Sequence, residues 1–258
     1  MKKLLLLLFA LLLPSPTWAA IALVTHTCAT QIGGGDGTDL TSTSIDSTGA
    51  NLFVLYLTFY DPSATDTATV ADTHTGCASP CNTWHAQTNQ NNNQTSSHII
   101  YAWNASYGTS HTFTLKNSGS LYNGAFCVVA FSGVQTSSDP VDQQDVNANS
   151  AGTTIQPSSG TITPTAGNEL VFTSVNGAAQ SASFTISPSG DGSTGYLVID
   201  QALTDAGLAI AYIIQTAATG TNPTWTTEGL GWQWAAISTF KAAAGAAARR
   251  PGHAMVLQ

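Results

Sequence analysis

Short runs of β-branched and aromatic residues recur along almost the whole chain, and no segment before the C-terminal tail has helical apolar spacing. The runs are broken by Gly, Pro, Asn and Asp, which are typical of turns. The clearest predicted strands cover residues 51–60, 83–87, 98–103, 111–115, 125–134, 169–175, 196–200, 208–215 and 232–241. Many short strands separated by turns predict an all-β chain, folded as a two-sheet antiparallel β-sandwich of the jelly-roll type.

An internal repeat divides this strand pattern into two similar halves. Segments match in the same order, namely 37–44 with 152–159, 49–54 with 167–172, 99–109 with 209–221, 111–114 with 223–226, and 125–131 with 234–240. The sequence therefore predicts two pseudo-repeats, at about residues 21–134 and 150–241. They form either two tandem sandwiches or one merged sandwich. The connection 135–149 is polar but short, which favours a single domain of residues 20–241.

Four of these segments resemble a family of uncharacterised secreted bacterial β-sandwich proteins. They are Gly49-Ala-Asn-Leu-Phe-Val, Tyr101-Ala-Trp-Asn, Ala130-Phe-Ser-Gly-Val and Trp234-Ala-Ala-Ile-Ser-Thr-Phe-Lys. The likeness covers most of residues 21–241, and its motifs are strand patterns. It implies a sandwich fold and an extracellular setting, and it carries over no catalytic residues.

Both ends of the chain have their own composition. Lys2 and Lys3 precede an apolar run over residues 4–13 and a small-residue cleavage site that ends at Ala19, which predicts a signal peptide of residues 1–19. That run is shorter than the roughly 20 apolar residues of a membrane span. The Ala-rich residues 242–258 predict a flexible tail. We expect a secreted protein, on a bacterial cell surface or in the medium, with no membrane insertion.

The chain is poor in charge, and the charges that it has are mostly acidic. Charged residues make up 8% of the sequence, and Asp and Glu number 14. In residues 20–240 the only Lys or Arg is Lys116. Because nucleic acid binding depends on Lys and Arg at the phosphates, this composition excludes nucleic acid as a partner. A surface of hydroxyls and amides suits neutral partners instead.

The four cysteines predict two disulfides in an exported chain. Cys77 and Cys81 flank a short Pro-containing loop and are expected to pair, which leaves Cys28 with Cys127 in two strand-like segments. A zinc site is the alternative, because His74, Cys77, Cys81 and His85 follow the spacing H-x2-C-x3-C-x3-H.

Exposed aromatic side chains are the candidate ligand-binding residues. Trp84, Trp232 and Tyr107 are flanked by polar residues or Gly, whereas Trp103 and Trp234 stand in apolar runs and are expected in the core. Aromatic faces stack on sugar rings, and neighbouring amides bind sugar hydroxyls. This pattern favours a non-catalytic module for extracellular adhesion or neutral-glycan binding. A structural subunit that associates with another surface protein or with itself is the first alternative.

Acidic residues suggest two further possibilities. Asp139, Asp142 and Asp145 form an Asp-rich turn that could hold a structural calcium, although Asp is also a common turn residue. Glu169 and Glu228, the two glutamates of the chain, are the candidates for a carboxylate-dependent hydrolase. No catalytic motif accompanies either of them, so no catalytic residue is assigned.

Overall fold

The computed structural model describes residues 20–31, 39–60, 68–87, 90–91, 95–117, 122–149, 152–178, 183–203, 206–228 and 232–244. The predicted signal peptide and nearly all of the predicted tail lie outside these ranges. Every regular element within them is a β-strand, which confirms the all-β class. The strands of the first half are β1 (Ala22–Gln31), β2 (Leu40–Thr41), β3 (Leu52–Tyr60), β4 (Ala68–Thr73), β5 (His85–Ala86), β6 (Gln90–Asn91), β7 (Thr95–Trp103), β8 (Thr112–Asn117) and β9 (Tyr122–Ser132). Those of the second half are β10 (Val141–Asn149), β11 (Thr154–Ile155), β12 (Glu169–Ala178), β13 (Thr185–Ser187), β14 (Leu197–Ala202), β15 (Ala206–Gln215), β16 (Thr224–Thr226) and β17 (Gln233–Phe240).

The two halves have the same topology. Large sheet 1 has the order β1-β9-β3-β7-β5, with β6 also paired to β7, and large sheet 2 has the order β10-β17-β12-β15-β14. Small sheet 1 is β2-β8-β4, and small sheet 2 is β11-β16-β13. Taking the strands of each half in chain order, every strand except β6 has a counterpart in the other half. The predicted pseudo-repeats are thus two copies of one antiparallel sandwich.

The second copy begins earlier than the sequence predicted. β10 occupies the position of β1, yet it lies in residues 135–149, which the sequence analysis treated as a connection. β10 is an edge strand that pairs only with β17 among the described strands, and its sequence VDQQDVNAN is mostly polar. An edge strand with so few apolar residues gives little periodic signal.

The central strands are apolar on both faces because both faces are covered. In β3, Phe53, Leu55 and Leu57 pack with small sheet 1, in a core that includes residues of β8 and β9. Leu52 and Val54 point the other way, towards large sheet 2. Successive strand residues point to opposite faces, so a continuous apolar run is what a doubly covered strand requires.

The large sheets of the two halves share a third apolar core. Leu52, Val54 and Tyr56 of the first half cluster there with Leu170 and Phe172 of the second. The layers therefore run small sheet 1, large sheet 1, large sheet 2, small sheet 2. Strand pairing between the halves is limited, among the described residues, to the bridge of Val134 with Ala242.

Polar contacts also cross between the large sheets. The Tyr56 hydroxyl donates to Asn176 Oδ1 at 3.2 Å, and Asn176 Nδ2 donates to Thr58 Oγ1 at 2.8 Å. At the sheet edges, His26 Nδ1 lies 2.9 Å from Asp200 Oδ2 and joins β1 to β14. All three contacts join residues from opposite halves, so they fix the relative register of the two sheets.

Candidate functional site

A neutral groove lies between β10 and the small sheet of the second half. It has a volume of about 450 Å³ and is lined by Asn147, Ala148, Asn149, Thr154, Ile155, Gln156 and Thr224. Asn147 Nδ2 donates to the Gln156 carbonyl at 3.0 Å, which holds the amide across the groove. The described lining is amide, hydroxyl and aliphatic, with no ionisable side chain. Such a groove can exchange hydrogen bonds with a polar, uncharged ligand.

The alternation of amides along β10 explains how the groove forms. Asn147 and Asn149 are two residues apart in one strand and so point to the same face. The sequence analysis missed these residues because it placed no strand there. The alternating pattern Asn147-Ala-Asn149 was the signal that could have found them.

Trp232 presents an exposed aromatic ring just before β17. Its side chain is 52% exposed, and its ring stacks on that of the buried Trp234 with centroids 6.1 Å apart and planes 22° apart. Trp234 pairs with Asn176, whose side chain contacts large sheet 1, whereas the neighbouring Gln233 pairs with Asn149 of β10. Because successive strand residues point to opposite faces, the Trp232 ring lies on the other face of large sheet 2 from the groove amides.

Trp84 does not offer the exposed stacking face that the sequence predicted. It packs on the core of the first half, with ring centroids 6.4 Å from Phe53 and 6.1 Å from Phe113. Its indole Nε1 donates to Asp72 Oδ1 at 3.0 Å. The prediction was wrong because the acceptor for the indole, the buried Asp72, lies in β4 and not among the polar neighbours of Trp84 in the sequence.

The remaining aromatic candidates are divided between the two halves. Tyr107 is 49% exposed, as predicted, but it follows β7 in the first half, whereas Trp232 belongs to the second. Trp234 is buried, as predicted, and Trp103 is half-buried against the core between the large sheets. The described ring contacts do not join Tyr107 to Trp232, so the two do not form a stacked row.

A serine, a histidine and an aspartate meet in the interior of the first half. His111 Nε2 lies 3.0 Å from Asp72 Oδ2, and His111 Nδ1 lies 2.8 Å from Ser47 Oγ. A carboxylate only accepts, so Nε2 donates to Asp72, and the Ser47 hydroxyl also donates to the Gly108 carbonyl at 3.1 Å. Ser47 and His111 have no exposed surface. A nucleophile must reach its substrate, so this arrangement is a structural network.

Asp72 is the centre of that network. Burial alone raises its pKa, but hydrogen bonds from His111, Trp84 and Asn82 outweigh burial and hold the pKa below the ordinary carboxyl value. Asn82 donates twice, from its backbone nitrogen at 3.1 Å and from Nδ2 at 2.6 Å. These contacts tie the segment after β4 to β8.

The three aspartates of the predicted calcium site do not converge. Asp139 accepts from the Tyr101 hydroxyl at 2.7 Å, Asp145 accepts from the Ser158 hydroxyl at 2.6 Å, and Asp142 forms an ion pair with Lys241 at 3.1 Å. Within the described ranges, three potential metal ligands come together only at His74, Cys77 and Cys81. The structure therefore gives no support to calcium at the three aspartates, each of which holds a different turn or strand.

Glu169, the first residue of β12, is buried. Burial, together with the nearby charge of Asp142, raises its pKa to about 7, against the opposing effects of the Ala166 amide, Thr239 and Lys241. Glu169 lines a pocket of about 260 Å³ with Gln135 and residues 241–244. Glu228 is exposed and follows β16. The two candidate glutamates are thus in different environments.

Both predicted disulfides are confirmed. Cys28 of β1 is bonded to Cys127 of β9, directly opposite in the strand register, and Cys77 is bonded to Cys81. His85, the fourth ligand of the alternative zinc site, lies on β5, with its ring 5.4 Å from that of Tyr101. The four-ligand site predicted from spacing is therefore not formed.

Comparison with known proteins gives no relative for this fold and site. No protein-family model, no curated protein and no solved structure matches the chain. The resemblance to secreted bacterial sandwich proteins therefore stays a prediction. Two disulfides indicate an oxidising, extracellular environment. The described part of the chain contains no helix with the length and apolarity needed to cross a membrane.

Proposed function

We propose that this protein is a non-catalytic extracellular module that binds neutral glycans, with adhesion as its purpose. The observation that carries the proposal is the uncharged amide groove of β10, and the exposed ring of Trp232 offers a separate stacking surface on the other face of the same sheet. Sugar hydroxyls both donate and accept hydrogen bonds, as do the amides of Asn147, Asn149 and Gln156. The C–H face of a pyranose packs on an aromatic ring.

The charge of the chain supports a neutral ligand over a charged one. The sequence has a formal net charge of −8, which repels polyanionic glycans. A cationic ligand would need carboxylates in the groove, and the described lining has none. Hydrogen bonding and stacking are the interactions that this surface offers.

The positions of the candidate catalytic groups support a non-catalytic module. Ser47, His111 and Asp72 are sealed in the interior, and Glu169 is buried beside the ion pair of Asp142 and Lys241. The groove itself contributes amides and hydroxyls, none of which is an effective general acid or base near neutral pH.

A glycan array with the purified protein tests the proposal. We expect binding to one class of neutral oligosaccharide, followed by at least tenfold weaker binding in Trp232→Ala and in the double variant Asn147→Ala/Asn149→Ala. Tyr107→Ala is the matched control, because Tyr107 is similarly exposed but lies in the other half. Equal losses in the Trp232 and Tyr107 variants, or binding only to acidic glycans, would contradict the proposal.

Self-association is the second candidate function, and β1 is the observation that favours it. β1 covers Ala22–Gln31 and, among the described strands, pairs only with β9, so one long edge is open to another strand. Sedimentation velocity over a concentration series tests this candidate. Concentration-dependent oligomers that persist in Trp232→Ala and dissociate when Thr25→Pro interrupts the edge would favour self-association over glycan binding.

A further inference from the structure

The loop after β4 brings three metal-ligating side chains together in the first half. One ligand atom from each of His74, Cys77 and Cys81 lies within 4.8 Å of the other two. The cysteines form a disulfide in this structure, so the sulfurs are not available to a metal in this state. The question is whether the same three side chains stay together when that bridge is opened.

Backbone hydrogen bonds hold the loop independently of its disulfide. The Cys77 amide donates to the His74 carbonyl at 3.0 Å, and the Cys81 amide donates to the Asp72 carbonyl at 3.2 Å. The Thr73 hydroxyl donates to the Cys77 carbonyl at 3.1 Å. Because each cysteine is fixed at its own backbone, reduction leaves both thiols near His74.

The two bridges differ in how far they are buried. Cys77 and Cys81 are half-buried, and residues 78–80 between them are exposed. In the other bridge, Cys28 is also half-buried, but Cys127 has no exposed surface and lies in the core between the large sheets. Thiol–disulfide exchange needs access to a sulfur, so we expect a limited amount of dithiol to attack the loop bridge before the other one.

Hydrogen bonds at both nitrogens hold the ring of His74. Its Nδ1 lies 3.0 Å from the Thr75 carbonyl, which can only accept, so Nδ1 carries the proton and Nε2 carries the lone pair. The Ser106 hydroxyl donates to Nε2 at 2.8 Å. Histidines bound to zinc commonly donate their other ring N–H to a backbone carbonyl, which fixes the tautomer.

We propose that reduction of the Cys77–Cys81 bridge creates a zinc site formed by the two thiolates and the imidazole of His74. A dithiol reductant is oxidised to its own disulfide and supplies two electrons and two protons, which convert the bridge to two thiols. Zinc then binds with release of both thiol protons, and Nε2 of His74 exchanges the Ser106 hydroxyl for the metal. Two thiolates and an imidazole suit zinc, and water completes a tetrahedral site.

This site differs from the one that sequence spacing suggests, because His85 is not part of it. His85 sits on β5, with ring contacts to Tyr101 and Trp103. The spacing H-x2-C-x3-C-x3-H predicts four protein ligands, whereas the structure assigns three. His85→Ala is therefore a matched control for His74→Ala.

The test compares oxidised and reduced protein with Co²⁺ as a spectroscopic probe and Zn²⁺ as its competitor. The protein is treated with a limited amount of dithiothreitol, desalted without oxygen and checked for two free thiols by thiol titration before denaturation. We expect one equivalent of Co²⁺ with thiolate-to-metal absorption, which Zn²⁺ displaces. The oxidised protein and the reduced Cys77→Ser/Cys81→Ser variant are expected to show no such absorption.

The histidine variants decide the ligand set. We expect His74→Ala to bind Co²⁺ at least tenfold more weakly than the reduced parent, and His85→Ala to match the parent. Circular dichroism of each reduced protein checks the fold, and His74→Gln serves if His74→Ala unfolds. Absence of thiolate-to-metal absorption in the folded, reduced protein would overturn the proposal. Equal weakening by the His85 and His74 variants would also overturn it, in favour of a four-ligand site.

Discussion

His111 and Asp72 form a buried hydrogen-bonded pair, with Nε2 and Oδ2 3.0 Å apart and neither side chain exposed to solvent. The pair joins β4 to the start of β8, and its second histidine nitrogen reaches Ser47. A buried carboxylate is stable only with such partners. The network therefore ties two strands of small sheet 1 to the loops that carry Ser47, Asn82 and Trp84.

We predict that Asp72→Ala destabilises the protein by about 3–5 kcal/mol, because His111, Asn82 and Trp84 each lose an acceptor in a buried site. Urea unfolding followed by Trp fluorescence measures the loss. Asp46→Ala is the control, since the Asp46 carboxylate is exposed and bonds to Thr48. A loss in Asp72→Ala no larger than in the control would contradict a central role for the network.

The pKa of Glu169 predicts a pH-dependent stability. Its folded pKa of about 7 is above the ordinary value of 4.5, so the folded state binds this proton more tightly than the unfolded state. The resulting stabilisation is complete below the ordinary value and is lost as the pH rises through about 7. Burial raises the pKa of Asp142, which faces Glu169, but hydrogen bonds from Thr165 and Lys241 outweigh burial and hold the pKa below the ordinary carboxyl value, so this carboxylate stays charged over the window.

Melting temperatures of the wild type and of Glu169→Gln at a series of pH values test this prediction. The difference between the two proteins is expected to change between pH 4.5 and pH 7 and to be constant above that range. The two proteins share all other ionisable groups, so the difference isolates Glu169. Glu228→Gln, at the exposed glutamate, is expected to follow the wild type. A constant difference at all pH values would show that Glu169 does not titrate there.

The two disulfides are predicted to differ in their contribution to stability. Cys28–Cys127 spans a sequence separation of 99, and Cys77–Cys81 spans 4. Replacing the long-range pair by alanines is expected to cost about 2–5 kcal/mol. The cost for the loop pair is expected to be roughly 2–3 kcal/mol lower, because the entropy of loop closure grows with loop length. Equal losses in denaturant melts would argue against an entropic origin.

The local sequence pattern was sufficient to predict those features of the molecule that depend on residues close together in the chain. The apolar runs of β3 and β12 and the turns between strands predicted the fold, and cysteine spacing predicted both bridges. The role of Asp72 could not be found in this way, because its partners Trp84 and His111 come from other segments. A buried polar contact between distant segments leaves no periodic signal in one sequence.

The candidate groove shows the same limit. Its amides lie on β10, whose few apolar residues hid the strand, and its other wall comes from β11 and Thr224. Trp232 was predicted correctly as exposed from its Gly and polar neighbours. Which face of the sheet an exposed aromatic joins depends on strand register, and register is a property of the whole sheet.

The last prediction concerns the two halves, which we expect to unfold as one cooperative unit. Phe172 and Leu208 of the second half have no exposed surface, and both lie in the core shared by the large sheets. A fragment of residues 135–244 exposes that face of large sheet 2 to water, and it contains no disulfide to compensate. Burial of each such side chain stabilises by about 1.5–3 kcal/mol, so the fragment is expected to lack a sharp thermal transition. Calorimetry of the fragment and of residues 20–258 makes the comparison. A sharp transition in the fragment near that of the whole chain, or two separate transitions in the whole chain, would show instead that each sandwich folds alone.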